Sequence, residues 1–355
     1  MTGDYKETFI TRLLRNSWPG SVDVELLKAI FSVDDMDALG HWHAWSSVIE
    51  IDLLDWQSHR LLAAFVGRAR KIDPDFKQLS LLEGLTKSHW TTSQVIKRNT
   101  LPAVDALLDS GIPVMFFKGL AFEIAGHSSI PSRFSGDLDV LVPRGRIREA
   151  LELLYNIGWS FDGQPLQVAL SKMAMDSGIN LKNASGGDLD LHHQPVHAGY
   201  VDDRALKGLW SSAEKGSFLG RSILVPCLSD LLAIAASHGL RRPGKKQAHV
   251  SLWAIDFING LSKLGGDYAQ LKESAHRMNA EASVAGAVLF AFENFRDRFA
   301  GICPKQFISL AASPRQLMWL ALEAPPKGRL DKHVRARLVK ILKFLNQRNK
   351  VEFSR

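Results

Sequence analysis

Asp137 and Asp139 are two carboxylates one residue apart, at the head of an apolar run, Val140, Leu141 and Val142, that Pro143 ends. In an extended strand alternate side chains share a face, so the two acids point the same way with about 7 Å between their Cα atoms, while Leu138 points into the core. The residues that follow read as a buried strand. Unpaired carboxylates at the head of such a strand are costly. A divalent cation compensates for them: Mg2+ takes one or two carboxylates together with water and substrate phosphates, and a two-ion site needs its ions about 3.5–4 Å apart. The spacing therefore points to chemistry on a phosphate group.

A third acid is available downstream. Ile179 to Leu181 and Leu189 to Leu191 flank Asn183, Ala184, Ser185, Gly186 and Gly187, which reads as a hairpin whose second strand carries Asp188, Asp190 and His192 on one face. If that strand lies beside the first, about 4.8 Å away, one of its acids can meet the same metal pair. Asp190 is the expected one. Asp188 adjoins Gly187 and suits a turn cap. Upstream, the strand-like run Val114 to Phe117 leads into Lys118 and Gly119, a short helix from Leu120 to Ala125, and then Arg133 and Gly136.

Taken together, Lys118-Gly119, Arg133, the run from Gly136 to Val142 and Asp190-Leu191-His192 resemble a bacterial family of nucleotidyltransferases within the polymerase β-like superfamily. The match covers roughly residues 111–193, with a weaker echo from Asp230 to Asp256 in which His238, Trp253 and Asp256 suit packing between subdomains. The resemblance implies a mixed sheet flanked by helices and a nucleoside triphosphate substrate. It also implies that two acids from one strand and a third from the next, here Asp137, Asp139 and Asp190, hold two Mg2+ ions. Gly119 and Gly136 fall within its nucleotide-binding pattern. Lys118-Gly119 stands where the better-known superfamily signature has Gly-Ser or Gly-Gly, at a longer spacing from the acids, and His193 stands where the family has Trp.

On this reading Lys118 and Arg133, on either side of the short helix, are cations placed to meet triphosphate oxygens, the competing reading being solvated surface charge. His192 orients a carboxylate or contacts phosphate. The expected reaction is in-line attack of a hydroxyl on the α-phosphate with pyrophosphate leaving, and Asp190 placed to accept the proton. The acceptor, whether small molecule, polysaccharide precursor or protein, is open. Two other readings stand beside it: a catalytically silent nucleotide-binding or scaffold protein, and an RNA-directed nucleotidyltransferase.

The elements that must position these residues give an α+β chain, mostly helical with a small mixed sheet. A helical N-terminal region (1–110) reads as helices over Asp4 to Arg15, Val22 to Phe31, Ile49 to Ala69 and Leu79 to Leu108. The nucleotidyltransferase core spans 111–226 and includes a helix from Arg146 to Asn156. The C-terminal region (227–355) holds buried helices at Leu228 to Leu240, Leu252 to Leu264 and around Val284 to Phe292, and a basic tail. That tail, Lys327 to Arg355, has ten Lys and Arg against Asp331 and Glu352, so it alone accounts for the chain's net charge of +7. Leu330, Val334, Leu338, Ile341, Leu342 and Leu345 recur at helical spacing there, an apolar stripe suited to packing on the body, with contact to RNA phosphates or an anionic membrane surface as the sharper alternatives.

Composition fits a cytoplasmic enzyme. Cys227 and Cys303 are the two cysteines, far apart, so neither a disulfide framework nor a zinc ribbon is expected. Met1 to Arg15 lacks the apolar core of a signal peptide, and Val284 to Phe292 is too short to span a bilayer. Histidines at 192, 193 and 197, with His41 and His43, offer a zinc reading without a cysteine ligand. Neither a P-loop nor a Gly-x-Ser-x-Gly elbow is present.

Overall fold

The run Leu138–Leu141 is buried along its whole length and forms the middle of a sheet. The computed structural model of the chain describes residues 9–15, 17–54, 56–127, 134–196, 201–240 and 251–312. Its strands are β1 (Met115–Phe116), β2 (Leu138–Leu141), β3 (Gly178–Lys182), β4 (Asp188–His192), β5 (Glu214–Phe218) and β6 (Arg221–Val225), in the spatial order β3-β4-β2-β1-β6-β5. β2 runs parallel to β4 and antiparallel to β1, β1 is parallel to β6, and β3/β4 and β5/β6 are antiparallel hairpins. The class is α+β with a small mixed sheet among many helices, as the sequence implies.

The parallel step from β2 to β4 needs a long crossover, which the chain makes through the helices Ile147–Asn156 and Leu166–Met175 and then β3. Ile147, Ala150, Leu151 and Leu154 form the buried stripe of the first of these. The β3/β4 turn is held by one side chain: Asn183 Oδ1 accepts from Ser185 N at 3.1 Å and from Gly187 N at 2.7 Å. The long helix Leu79–Asp109 fastens this hairpin, since Asn99 Nδ2 donates to Ser185 O and the Asp188 amide donates to Thr100 Oγ1 at 3.2 Å.

The β5/β6 hairpin is missing from the sequence reading. Its two-residue turn, Leu219-Gly220, has positive φ at both positions, the twist that joins hairpin strands, but a leucine in the first slot hides the usual Asn-Gly signal. The expected helix from Ile49 to Ala69 is instead a single 3-10 turn, Ile51–Leu53, followed by the helix Trp56–Ile72. The strand expected over Val114 to Phe117 shortens to two residues, and the helices Leu166–Met175, Asp203–Ser211 and Ala269–Arg277 join those expected.

Downstream, Leu228–Gly239, Leu252–Lys263 and Glu281–Asn294 are buried helices whose apolar residues continue one core with the sheet and the N-terminal helices. Asp230 is completely buried there, with Arg277 Nη2 donating to it at 2.5 Å and Ser212 Oγ at 3.1 Å. His238 Nε2 lies 2.8 Å from Pro195 O, and the Trp253 ring packs on Phe257 and Phe290. The expected basic helix from Leu330 to Leu345, the Asp4 end of the first helix, Arg133 and His197 lie outside the described residues. No helix among the described residues is long and apolar enough to cross a membrane.

Candidate active site

Strand pairing brings the acids together. In the parallel ladder of β2 with β4, Asp139 is the register partner of Asp190, and Val140 and Leu141 of the same strand pair with Leu191 and His192. Two carboxylates that are distant in sequence therefore become neighbours. Asp139 is buried and Asp190 half-buried. Asp137 lies in the bend that enters β2, with Gly136 just before it. Asp188 goes elsewhere: Asn180 Nδ2 donates to it at 2.6 Å across the hairpin, and Lys182 Nζ is 3.5 Å away.

His192 completes the group from the end of β4. Its Nε2 is 2.8 Å from Asp190 Oδ2 and 3.5 Å from Asp139 Oδ1. The ring meets the edge of Phe117, with centroids 4.9 Å apart at 89°, and lies over Gly178, its register partner on β3. A Cβ at position 178 would come within 2.3 Å of the imidazole Nδ1, so only glycine leaves the ring its place.

Lys118 enters from the third side. It follows β1 and precedes the six-residue helix Gly119–Ile124, with φ 60° and ψ −146°, a conformation that costs a non-glycine residue about 1–3 kcal/mol. That turn directs the side chain inward. Its ammonium donates to Asp139, lies 3.7 Å from Asp190 Oδ2 and 3.4 Å from His192 Nε2, and sits over the Phe117 ring. The sequence places Lys118 to meet triphosphate oxygens; in the fold its ammonium lies among the acids.

The protonation states follow from this crowding. Asp139, then burial, drives the Asp137 carboxyl up to about 6, against the opposing charges of Lys118 and Arg60. Burial opposes the charge on Lys118 most strongly, but Asp139, Asp190 and Asp137 outweigh it and hold the ammonium above the usual lysine range. For His192, burial and the charge on Lys118 act downward, and hydrogen bonds to Asp139 and Asp190 bring the net shift upward.

Ligand atoms of Asp139, Asp190 and His192 lie within 4.8 Å of one another, a donor set able to hold a metal ion. Two facing carboxylates with a third at the strand entrance suit a hard cation that prefers oxygen. His192 Nε2 is already against Asp190, the arrangement in which an imidazole orients a ligating carboxylate. The zinc reading of the histidines finds no shared centre among the described residues: His41 is paired with Glu25, His43 with Asp73, and His193 Nε2 faces the carbonyls of Met173 and Asp176.

Two participants escape the sequence reading. Gly178 is one, since nothing in its local pattern marks an imidazole above it. The other is Arg60, whose Nε and Nη2 donate to Phe134 O at 3.2 and 3.0 Å, beside the chain entering β2, and whose charge reaches Asp137. Tertiary packing alone brings it there from a helix far upstream.

No curated protein sequence matches this chain. One solved structure, of the antibiotic-resistance factor ANT(2'')-Ia in solution, aligns with 59% of this chain and 94% of its own at 15% identity and a TM-score of 0.33. A family described as uncharacterised nucleotidyltransferase matches residues 53–296, which include every acid of the site, the helix with Arg60 and the buried helices after the sheet. With more than half its length matched, the chain belongs to that nucleotidyltransferase family.

Proposed function

We propose that the protein is a Mg2+-dependent nucleotidyltransferase that moves a nucleoside monophosphate from a nucleoside triphosphate to a hydroxyl acceptor. The observation that carries this reading is the register pairing of Asp139 with Asp190, with Lys118 and His192 in contact with both, in a chain of this family.

Asp137, Asp139 and Asp190 would hold the Mg2+ ions, which supply positive charge against the phosphate oxygens. The acceptor oxygen bonds to the α-phosphorus, the bond from that phosphorus to the bridging oxygen of the β-phosphate breaks, and its electron pair leaves with pyrophosphate. Asp190 accepts the hydroxyl proton, and His192 Nε2, 2.8 Å from its carboxylate, fixes the orientation in which it does so. Phe117 and Gly178 keep that imidazole in place. Lys118 has its ammonium beside Asp139 and within reach of incoming phosphate oxygens, so it offsets charge that builds on the leaving group.

The direct test is a Mg2+-dependent thermal shift with each of the four nucleoside triphosphates, followed by pyrophosphate release with candidate acceptors. Asp139→Asn should abolish turnover while the protein stays folded. Nucleotide binding without release under any acceptor would favour a silent nucleotide-binding protein instead.

A further inference from the structure

We propose that Arg60, in the helix Trp56–Ile72, is a triphosphate-binding residue of this site. The inference rests on the nucleotidyltransferase reading and adds a cation that the acid strand and its neighbours do not contain.

Sheet direction locates the open end of the site. The heads of β2 and β4, with Asp137 and Asp188, lie at the end of the sheet where β1 finishes and Lys118 begins. β6 is parallel to β1, so its first residue, Arg221, is at the opposite end. The long helix Leu79–Asp109 touches both ends: Thr100 meets the Asp188 amide, and Asp105 pairs with Arg221 Nε at 2.7 Å and Nη2 at 2.9 Å. Residues before Thr100 therefore project past the carboxylates. Lys97 is among them, bonded at 2.8 Å to Glu123 on the short helix after Lys118.

On this overhang the buried face of the helix changes character. His89, Ser93 and Lys97, four residues apart, are 3%, 2% and 7% exposed, and apolar burial resumes only at Ala103, Val104 and Leu107. Burying polar groups at consecutive turns has a free-energy cost that an ordinary core avoids. Ser93 Oγ has no hydrogen-bond partner among the described residues. Arg60 projects from the facing helix into this polar zone. Its guanidinium donates to Phe134 O at the entrance to β2, and the ring of its neighbour His59 meets that of His89 edge-on with centroids 6.2 Å apart.

A triphosphate brings several negative charges to a site built from carboxylates. Arg60 keeps its charge at all working pH values and offers a planar fork that matches phosphate oxygens. The family match begins at residue 53, so the helix that presents Arg60 is part of the same unit as the acids.

The test uses the full chain and two probes, Mg2+-ATP and tripolyphosphate, the second of which lacks sugar and base. Calorimetric titration of Arg60→Gln should show affinity for both reduced about tenfold or more. Arg60→Lys retains charge without the fork and should fall between wild type and Arg60→Gln. A residue that merely pins Phe134 would lower the melting temperature without changing probe affinity in the folded variant. Wild-type affinity for both probes in folded Arg60→Gln would overturn the inference alone; if that variant does not fold, unchanged affinity in Arg60→Lys does so. A wild-type protein that binds neither probe would take the nucleotidyltransferase reading down with it.

Discussion

Asp139 and Asp190 stand opposite one another in the parallel pairing of β2 with β4, and the Lys118 ammonium donates to the first while lying 3.7 Å from the second. Local sequence places each carboxylate on its strand but does not bring the two together. The pairing depends on a crossover of two helices and a strand, and a slip of one residue in β4 would turn Asp190 to the other face of the sheet. The site is thus a readout of correct strand register.

That register separates two acids on the same strand. Asp190 faces Lys118 and His192, whereas the Asp188 carboxylate is engaged by Asn180 and Lys182 on β3. Asp190→Asn should lower pyrophosphate release by a factor on the order of 10² or more, and Asp188→Asn should leave it within a few-fold of wild type. The reverse order would move the functional acid to Asp188.

Lys118 combines charge with backbone strain, and two substitutions divide them. Lys118→Met leaves the acids without their ammonium and should lower metal-free stability, at the lower end of the roughly 3–5 kcal/mol expected for breaking a buried pair, because Lys118 is only partly enclosed. Lys118→Gly removes the same charge but also relieves the positive φ, so it should lose less, by about 1–3 kcal/mol. Urea denaturation in a chelator measures both. Equal losses would mean that the strain is not relieved by glycine.

Much of this was legible before the structure. Two acids at period two ahead of Val140, Leu141 and Val142 identify β2, and the Asn183 to Gly187 turn identifies the hairpin that supplies Asp190 and His192. These signals are local: alternation, β-branching and turn chemistry. The rest depends on contacts between distant segments. The inward turn of Lys118 is set by one unusual backbone angle, which no residue type announces, and Arg60 reaches the chain entering β2 from a helix that packs against the long helix Leu79–Asp109. The edge strand β5, Glu-Lys-Gly-Ser-Phe, is too polar to declare itself and needs β6 beside it.

Gly178 gives a prediction that concerns position rather than charge. A methyl group there would overlap the His192 ring, which is boxed in by Phe117. Gly178→Ala should cost about 1–3 kcal/mol through overpacking and loosen the hold of His192 on Asp190. Chemical denaturation gives the first effect. The second should appear as a lower turnover with nucleotide affinity little changed, and a variant with wild-type stability and rate would show that the ring can move aside freely.

The last prediction is a pH dependence whose sign is fixed by Asp137. Its folded-state pKa of about 6 exceeds the ordinary carboxylate value because Asp139 is beside it and because it is enclosed. Between about pH 4 and pH 6 the folded protein therefore holds a proton that the unfolded chain has released, and stability falls as pH rises through that window. The metal-free protein should be less stable at pH 7 than at pH 5, by about 1.4 kcal/mol from this group, because about one unit of its raised value lies above pH 5. His192 acts in the same direction: burial opposes its charge, its bonds to Asp139 and Asp190 more than compensate, and the resulting stabilisation is lost as pH rises through its raised folded-state value. Mg2+ favours the ionised acids, so it should bind more tightly at pH 7 than at pH 5 and restore stability where the metal-free protein is weakest. Urea melts between pH 4.5 and 8, with chelator and with Mg2+, provide the measurement. Asp137→Asn should flatten the metal-free profile, whereas a wild-type profile that rises steadily from pH 5 to pH 7 in chelator would contradict the raised pKa.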